Sequence, residues 1–276
     1  MGPCPTLIRY RHQGGRPPAA PGLWVHALAL RRGGRVDCAL GAGALKLRWQ
    51  NSSGICPMAI KVYGFWRSLA SFRVRAALAL KGLPFEEVSV DILSGEQFKP
   101  DYADVNAEHV VPTFIHDGTS IFQSLAIMEY LDDIQPEPRL LPTDAKERAY
   151  ARSLALVAIA DSHPLVVPRI RKHLAKTFGA DAAAIEAWAG HWTSEGLATY
   201  ERLLARRPAA PYALGETLSV ADICIAGQIV GANLFHLELT SFPAVKQLGE
   251  RYFALPAFAT SHPFEQPGFK AAKGHH

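Results

Sequence analysis

Val110-Val111-Pro112-Thr113-Phe114-Ile115-His116-Asp117-Gly118-Thr119-Ser120-Ile121-Phe122 carries the pattern on which the fold of this chain turns. Two short apolar runs flank Asp117-Gly118, and an Asp-Gly pair supplies the positive-φ positions that a tight antiparallel turn requires, so the stretch predicts a β-hairpin. Upstream, residues 85–90 alternate as a strand, and residues 59–63 form a short, partly β-branched apolar run suited to a buried strand. Between these two runs Phe72, Val74, Ala76, Ala77, Leu78 and Leu80 recur at helical spacing and stop at Gly82, a common helix terminator. Downstream of the hairpin, residues 124–131 read as a helix.

The resulting order, β-α-β-(α)-β-β-α with parallel strands first and an antiparallel hairpin last, is that of a thioredoxin-like domain. Pro136-Glu137-Pro138 and Leu141-Pro142-Thr143-Asp144 then make a rigid polar connection. Beyond it residues 146–161, 165–176, 182–206 and 219–235 all carry apolar positions at helical spacing, and nothing reads as strand. The expected fold class is therefore α/β plus all-α: a thioredoxin-like N-terminal domain at 58–138 followed by an all-helical domain at 145–276. Ser219-Val220-Ala221-Asp222 has the form of a capping box, with Leu218 and Ile223 as a hydrophobic staple, so Asp222 is read as structural.

The 276 residues hold 29 Lys and Arg against 25 Asp and Glu, yet this net charge of +4 is unevenly spread. Residues 1–57 carry eight basic residues and one acid, while residues 58–276 carry 21 and 24. The mildly acidic body gives no reason to expect nucleic acid as a partner. Residues 1–57 contain nine Gly and six Pro and show no sustained period of 2 or 3.6. They are read as a disordered or non-native extension, with translation expected to begin at Met58. A short signal-like run at 22–30 is interrupted by His26 and followed by Arg31 and Arg32, which argues against targeting. No uninterrupted apolar run approaches the roughly 18 to 20 residues of a membrane span, so no membrane is expected. Three of the four cysteines, Cys4, Cys38 and Cys56, lie in the first segment, leaving Cys224 alone in the body and excluding a disulfide framework there. The body reads as cytoplasmic, with no metal site, because its histidines show no ligand spacing.

Residues 65–82, Phe-Trp-Arg-Ser-Leu-Ala-Ser-Phe-Arg-Val-Arg-Ala-Ala-Leu-Ala-Leu-Lys-Gly, resemble the zeta-class glutathione transferase signature, Ser-Ser-Cys-Ser followed by an aromatic and Arg-Val-Arg. Val111-Pro112-Thr113 with Asp117-Gly118, residues 123–131, residues 212–222 and the late Ser261-His262-Pro263 to Gln266-Pro267 look like further parts of the same family, so the resemblance covers 58–267. It implies glutathione as cofactor, a homodimer, and a site in the cleft between the two domains. The family includes maleylacetoacetate isomerase, which uses glutathione to turn a cis double bond trans.

Each matched position also has its own chemistry. A thiol titrates near about 8.5, so only about 3% is thiolate at pH 7, and lowering its pKa by about two units is worth about 2.7 kcal/mol. A hydroxyl hydrogen bond and a helix N-terminus are of that size, which makes Ser68 the expected catalytic, thiolate-stabilising residue. Proline holds Val111 extended, and a cis Val111-Pro112 bond, which the resemblance implies, would turn the Val111 backbone toward the cysteinyl part of glutathione. Gln123 and Ser124 begin a helix whose dipole end favours the γ-glutamyl carboxylate. Gln97 matches a glutathione contact in the family. On the substrate side, Ser71 could offer a second hydroxyl, Arg73 could hold an anion and His163 could be a polar contact, while Arg75 is expected to make a structural ion pair.

The chain departs from the family at five positions. Leu69 and Ala70 replace Ser and Cys of the signature, Val166 and Val167 replace two Asn after His-Pro-Leu, and Leu234 replaces an Arg before Phe235. These changes lead us to expect a weakened diacid half. The leading expectation is a glutathione transferase that conjugates or adds the glutathione thiolate to small electrophiles, with glutathione and a small electrophilic or unsaturated acid substrate as its partners. Maleylacetoacetate isomerase is the alternative, and a non-catalytic ligand-binding or assembly domain is a third.

Overall fold

Ile60, Val62 and Gly64 alternate inward with Lys61 and Tyr63, as a strand with one face on a core requires. In the computed structural model, which describes residues 34–41, 44–51 and 60–269, this strand is central. The chain divides into two units, Met1–Met58 and Ala59–His276.

In the first unit, strands β1 (Gly34–Gly41) and β2 (Ala44–Asn51) pair antiparallel, with Gly41 opposite Ala44. Leu45, Leu47 and Trp49 alternate with Lys46, Arg48 and Gln50, a strand period within the stretch expected to lack one. The rest of the proposed extension, including its supposed start boundary at 52–58, lies outside the described residues.

The second unit begins with β3 (Ile60–Gly64), helix α1 (Leu69–Lys81) and β4 (Phe85–Ser89), which runs parallel to β3. Short helix α2 (Pro100–Ala103) precedes the hairpin of β5 (Thr113–His116) and β6 (Thr119–Phe122), whose turn residues Asp117 and Gly118 have φ of 53° and 74°. The sheet order is β4-β3-β5-β6, mixed as expected. Helix α1 ends where Gly82, at φ 63°, donates to the Ala79 carbonyl and Leu83 to that of Leu78, a paired C-terminal closure that needs a left-handed residue. Helix α3 (Ser124–Ile134) completes this half.

The two halves are pinned together by polar as well as apolar contacts. The buried Lys81 ammonium donates to Asp132 Oδ1 at 2.8 Å and to the carbonyls of Gln135 and Pro138, while Asp132 also accepts from the Leu140 and Leu141 N–H groups. This cluster fixes the connection to the end of α3. One core joins Phe72, Leu78, Phe114 and Leu131 of the first half to Leu154, Leu197, Tyr200 and Ile225 of the second.

The helical half holds α4 (Ala145–Leu156), α5 (His163–Val166), α6 (Pro168–Phe178), α7 (Ala182–Leu204), α8 (Val220–Leu234), α9 (Pro243–Phe253) and α10 (Pro256–Ser261). A π-helical turn, Val157–Ser162, separates α4 from α5. Its Ser162 hydroxyl donates to Gln228 Oε1, whose Nε2 donates to the Thr193 carbonyl, and a Cβ at Gly196 would stand 2.6 Å from that amide nitrogen. Only glycine lets α7 come this close to α8 there. The run Ala145–Phe178 is long and apolar enough, by length and composition, to cross a membrane, although no uninterrupted apolar run suggested it. It is jointed at the π turn and at Pro168, and its buried Ala151, Leu154, Ala155, Ala158 and Val166 face the shared interior.

Asp222 is fully buried and accepts from the Ala213 N–H, the Ser219 N–H and hydroxyl, and the Tyr252 hydroxyl, so the capping box at the start of α8 is also a tie to α9. Arg75 makes the expected structural pair with Glu87 at 2.9 Å and donates to the Trp66 and Ser261 carbonyls, joining the loop before α1 to α10.

Candidate functional site

A cavity of about 530 Å³ opens between the sheet half and α5, α6 and α8. Ser68, Arg73, Gln97, Val111, Pro112, Gln123, Ser124 and His163 all line it. Eight positions chosen from sequence thus meet in one place.

Ser68 is the N-cap of α1, and its Oγ accepts from the Ser71 N–H at 3.2 Å. A hydroxyl that accepts from the helix keeps its own proton to donate, and this one sits beside the positive end of α1. That arrangement can stabilise an anion on the cavity side. Ser71 is placed differently from the expectation. Its buried Oγ accepts from the Phe65 N–H at 3.3 Å and does not line the cavity, so it braces the 65–68 loop instead of meeting a substrate.

Arg73 crosses beneath the site. Its Nε donates to Ser124 Oγ at 3.0 Å, tying α1 to the start of α3, and among the described residues it has no carboxylate partner. Burial lowers its pKa from the usual arginine value, partly opposed by the nearby Cys224 and Tyr200. His163 stands in the opposite wall. Burial first, then the charges of Arg73 and Arg169, pushes its imidazole down to about 3. The ring is therefore neutral near pH 7 and offers a hydrogen bond, not a charge.

The Val111-Pro112 bond is cis. Behind it the Val110 carbonyl accepts from the Tyr102 hydroxyl and, at 3.1 Å, from Asn106 Nδ2, and both of those groups also meet Thr113 Oγ1. Tyr102 and Asn106, one helical turn apart, hold the edge that Val111 presents; the sequence reading passed over them. Gln123 adopts φ 69°, uncommon for a residue with a side chain, and its Nε2 donates to both oxygens of Glu108 at 2.7 and 3.0 Å. No side chain caps α3, so the N–H groups at its start remain open to an anion. Gln97 Nε2 donates to the Ile92 carbonyl at 3.4 Å, while its buried Oε1 has no partner, an acceptor that a ligand N–H would satisfy.

Leu69, Ala70, Val166, Val167 and Leu234 all face the cavity, so the departures from the zeta pattern do line the site. The expected loss of positive charge is offset from elsewhere. Arg67, Arg169, Arg171 and Lys172 also line it, against Glu108 as the sole acid among the lining residues. Helix α6 supplies three of these cations and contains no acid. That acid-free basic run, starting five residues after Pro164, was the available signal, and it reads in isolation as a solvated face. Among the described residues no three His, Cys, Asp or Glu side chains gather as metal ligands.

A four-stranded mixed sheet with a cis-proline edge, a capped helix presenting a hydroxyl and an uncapped helix start beside it define a thioredoxin-like domain with an open anion-binding edge. Residues 58–133 match the family model "Glutathione S-transferase, N-terminal domain". Maleylpyruvate isomerase from a Ralstonia species is 40% identical over 209 residues, covering 75% of this chain and 99% of that protein. A holo structure of maleyl pyruvate isomerase, described as a bacterial glutathione S-transferase in zeta class, aligns with TM-score 0.73 and 40% identity over 75% of this chain and 98% of the other. Maleylacetoacetate isomerase from Methylobacterium extorquens AM1, solved with bound malonate and glutathione, gives the same TM-score, identity and coverage. The chain belongs to the zeta-class glutathione transferases, the family of the maleylacetoacetate and maleylpyruvate isomerases. It is accordingly a glutathione-dependent enzyme.

Proposed function

We propose that this zeta-class enzyme acts on a small unsaturated carboxylic acid, and that with a cis-unsaturated diacid the outcome is cis-trans isomerisation. The observation that carries the reading is the wall of Arg67, Arg169, Arg171 and Lys172 beside Ser68, which favours an anionic electrophile over a neutral one.

The residues present fit glutathione. The α3 N-terminus at Gln123 and Ser124 suits its γ-glutamyl carboxylate, the Val111 backbone edge its cysteinyl part, and the orphaned Gln97 Oε1 one of its N–H groups. When bound, glutathione supplies a thiolate nucleophile for the unsaturated carbon. Ser68 donates its hydroxyl hydrogen bond toward the sulfur side of the site and so favours the deprotonated thiol. Arg73 fixes Ser124 and adds positive potential without reaching past it. Neutral His163 can orient an oxygen of the acid while giving up no proton near pH 7. Valines 166 and 167 with Leu234 exclude water from the body of the substrate.

A homodimer in the cytoplasm completes the reading. The large exposed side chain Phe122 on edge strand β6 supports self-association, and the free, buried Cys224 suits a reducing compartment. Parallel assays with a cis-unsaturated diacid and a chlorinated aromatic test the substrate class. Faster turnover of the acid is expected; preference for the aromatic by tenfold or more would overturn it, about 1.4 kcal/mol in the wrong direction.

A further inference from the structure

Arg171 is the cation in this wall whose surroundings are least satisfied. Its guanidinium lies over the Phe235 ring, 5.6 Å from the centroid, which fixes the orientation of its planar fork. Its Nε is buried and has no hydrogen-bond partner. Burial, then the like charge of Arg67, lowers its pKa from the usual arginine value, and the two arginines line the same cavity. Among the described residues neither has a carboxylate within ion-pair distance. A buried guanidinium donor without a partner, in a cavity wall shared with a second cation that has no counter-ion, calls for an anion from outside. Its place is constrained as well. Arg67 directly precedes Ser68, whereas Arg171 belongs to α6 in the helical half, its guanidinium over Phe235 at the end of α8.

We propose that Arg171, held by Phe235 and paired with Arg67, is a specificity-determining residue that binds a carboxylate of the acid substrate. This rests on the substrate class proposed above and assigns the charge recognition to a residue of α6, across from the apolar Leu234. The anion bridges the two guanidinium groups, removing their repulsion and supplying an acceptor that the protein lacks.

The test uses full-length protein and malonate, an unreactive dicarboxylate, as inhibitor, with a neutral chlorinated aromatic as reporter substrate. Arg171→Met is expected to weaken malonate inhibition about 10- to 100-fold, the loss of a charge-assisted contact. Arg171→Lys, which keeps charge but not the fork, should fall between. The KM for glutathione, to which Arg171 is assigned no contact, should stay within about threefold, under 1 kcal/mol. Failure of malonate to inhibit the wild type, an unchanged inhibition constant in Arg171→Met, or a matching rise in the KM for glutathione would each overturn the assignment. If the wild type conjugates the aromatic but leaves unsaturated acids untouched, the proposed substrate class fails, while the malonate titration still decides whether Arg171 is an anion site.

Discussion

Asp222→Ala should unfold this protein before it disarms it. The carboxylate is fully buried at the start of α8, where Oδ2 accepts from the Ser219 N–H and hydroxyl and Oδ1 from the Ala213 N–H and Tyr252 hydroxyl, all at 2.7 to 2.8 Å. Truncation strands two backbone donors that cannot turn away and two hydroxyls that can partly re-aim. A buried donor left without acceptor costs about 1 to 3 kcal/mol, so the loss should total about 3 to 5 kcal/mol, within the range for breaking a buried network. For a body of this size each kcal/mol moves the melting temperature by about 2 to 4 °C, giving a drop of about 6 to 20 °C. Asp222→Asn is the sharper variant. Whichever way its amide turns, the NH₂ group confronts two donors, so most of the loss should persist despite nearly unchanged shape. Circular dichroism melts, with glutathione affinity measured well below the transition, read both properties. An Asp222→Ala protein that is inactive yet melts like the wild type would refute the structural role.

Two other perturbations probe the site. His163 titrates near about 6.5 in the unfolded chain but is held down at about 3 when folded, so the unfolded state takes up a proton that the folded state refuses. Its contribution is therefore complete above about pH 6.5 and stability falls as pH drops toward about 3, by up to about 1.4 kcal/mol per pH unit. His163→Gln should flatten that part of the acid limb in denaturant titrations, and ring resonances titrating near pH 6.5 in the folded protein would contradict the burial argument. Ser71→Ala should cost about 1 kcal/mol through the lost Phe65 hydrogen bond and leave the KM for an acid substrate unchanged. A large rise in that KM with unaltered melting would return Ser71 to the substrate side.

Where a local residue pattern dictated backbone geometry, the sequence was readable. Asp117-Gly118 required a tight turn, Gly82 a left-handed helix end, and Ser219 with Asp222 a reciprocal cap, and each is present. Helices α9 and α10 went unread although Pro243 and Pro256 sit at their first turns, a usable start signal. The strand period at 45–50 was masked by the Gly and Pro around it. At the site, the cavity positions Ser68, Val111-Pro112 and Gln123-Ser124 could be traced because each belongs to a contiguous motif. The opposing wall could not. Basic residues of α6, which follows the π turn and begins at Pro168, line the same cavity as Arg67, a juxtaposition about 100 residues apart in sequence. Ser71 shows the converse limit: three residues from Ser68 on the same helix face, it turns inward to Phe65 because the loop needs an acceptor there.

In the proposed mechanism the Ser68 hydroxyl holds glutathione as thiolate. The direct measurement is the pKa of bound glutathione, read from thiolate absorbance against pH in wild type and Ser68→Ala. A lost charge-assisted hydrogen bond of about 1.5 to 3 kcal/mol should raise that pKa by about one to two units, with glutathione still bound through the α3 N-terminus and the Val111 edge. An unchanged pKa in a variant that still binds glutathione would contradict the account.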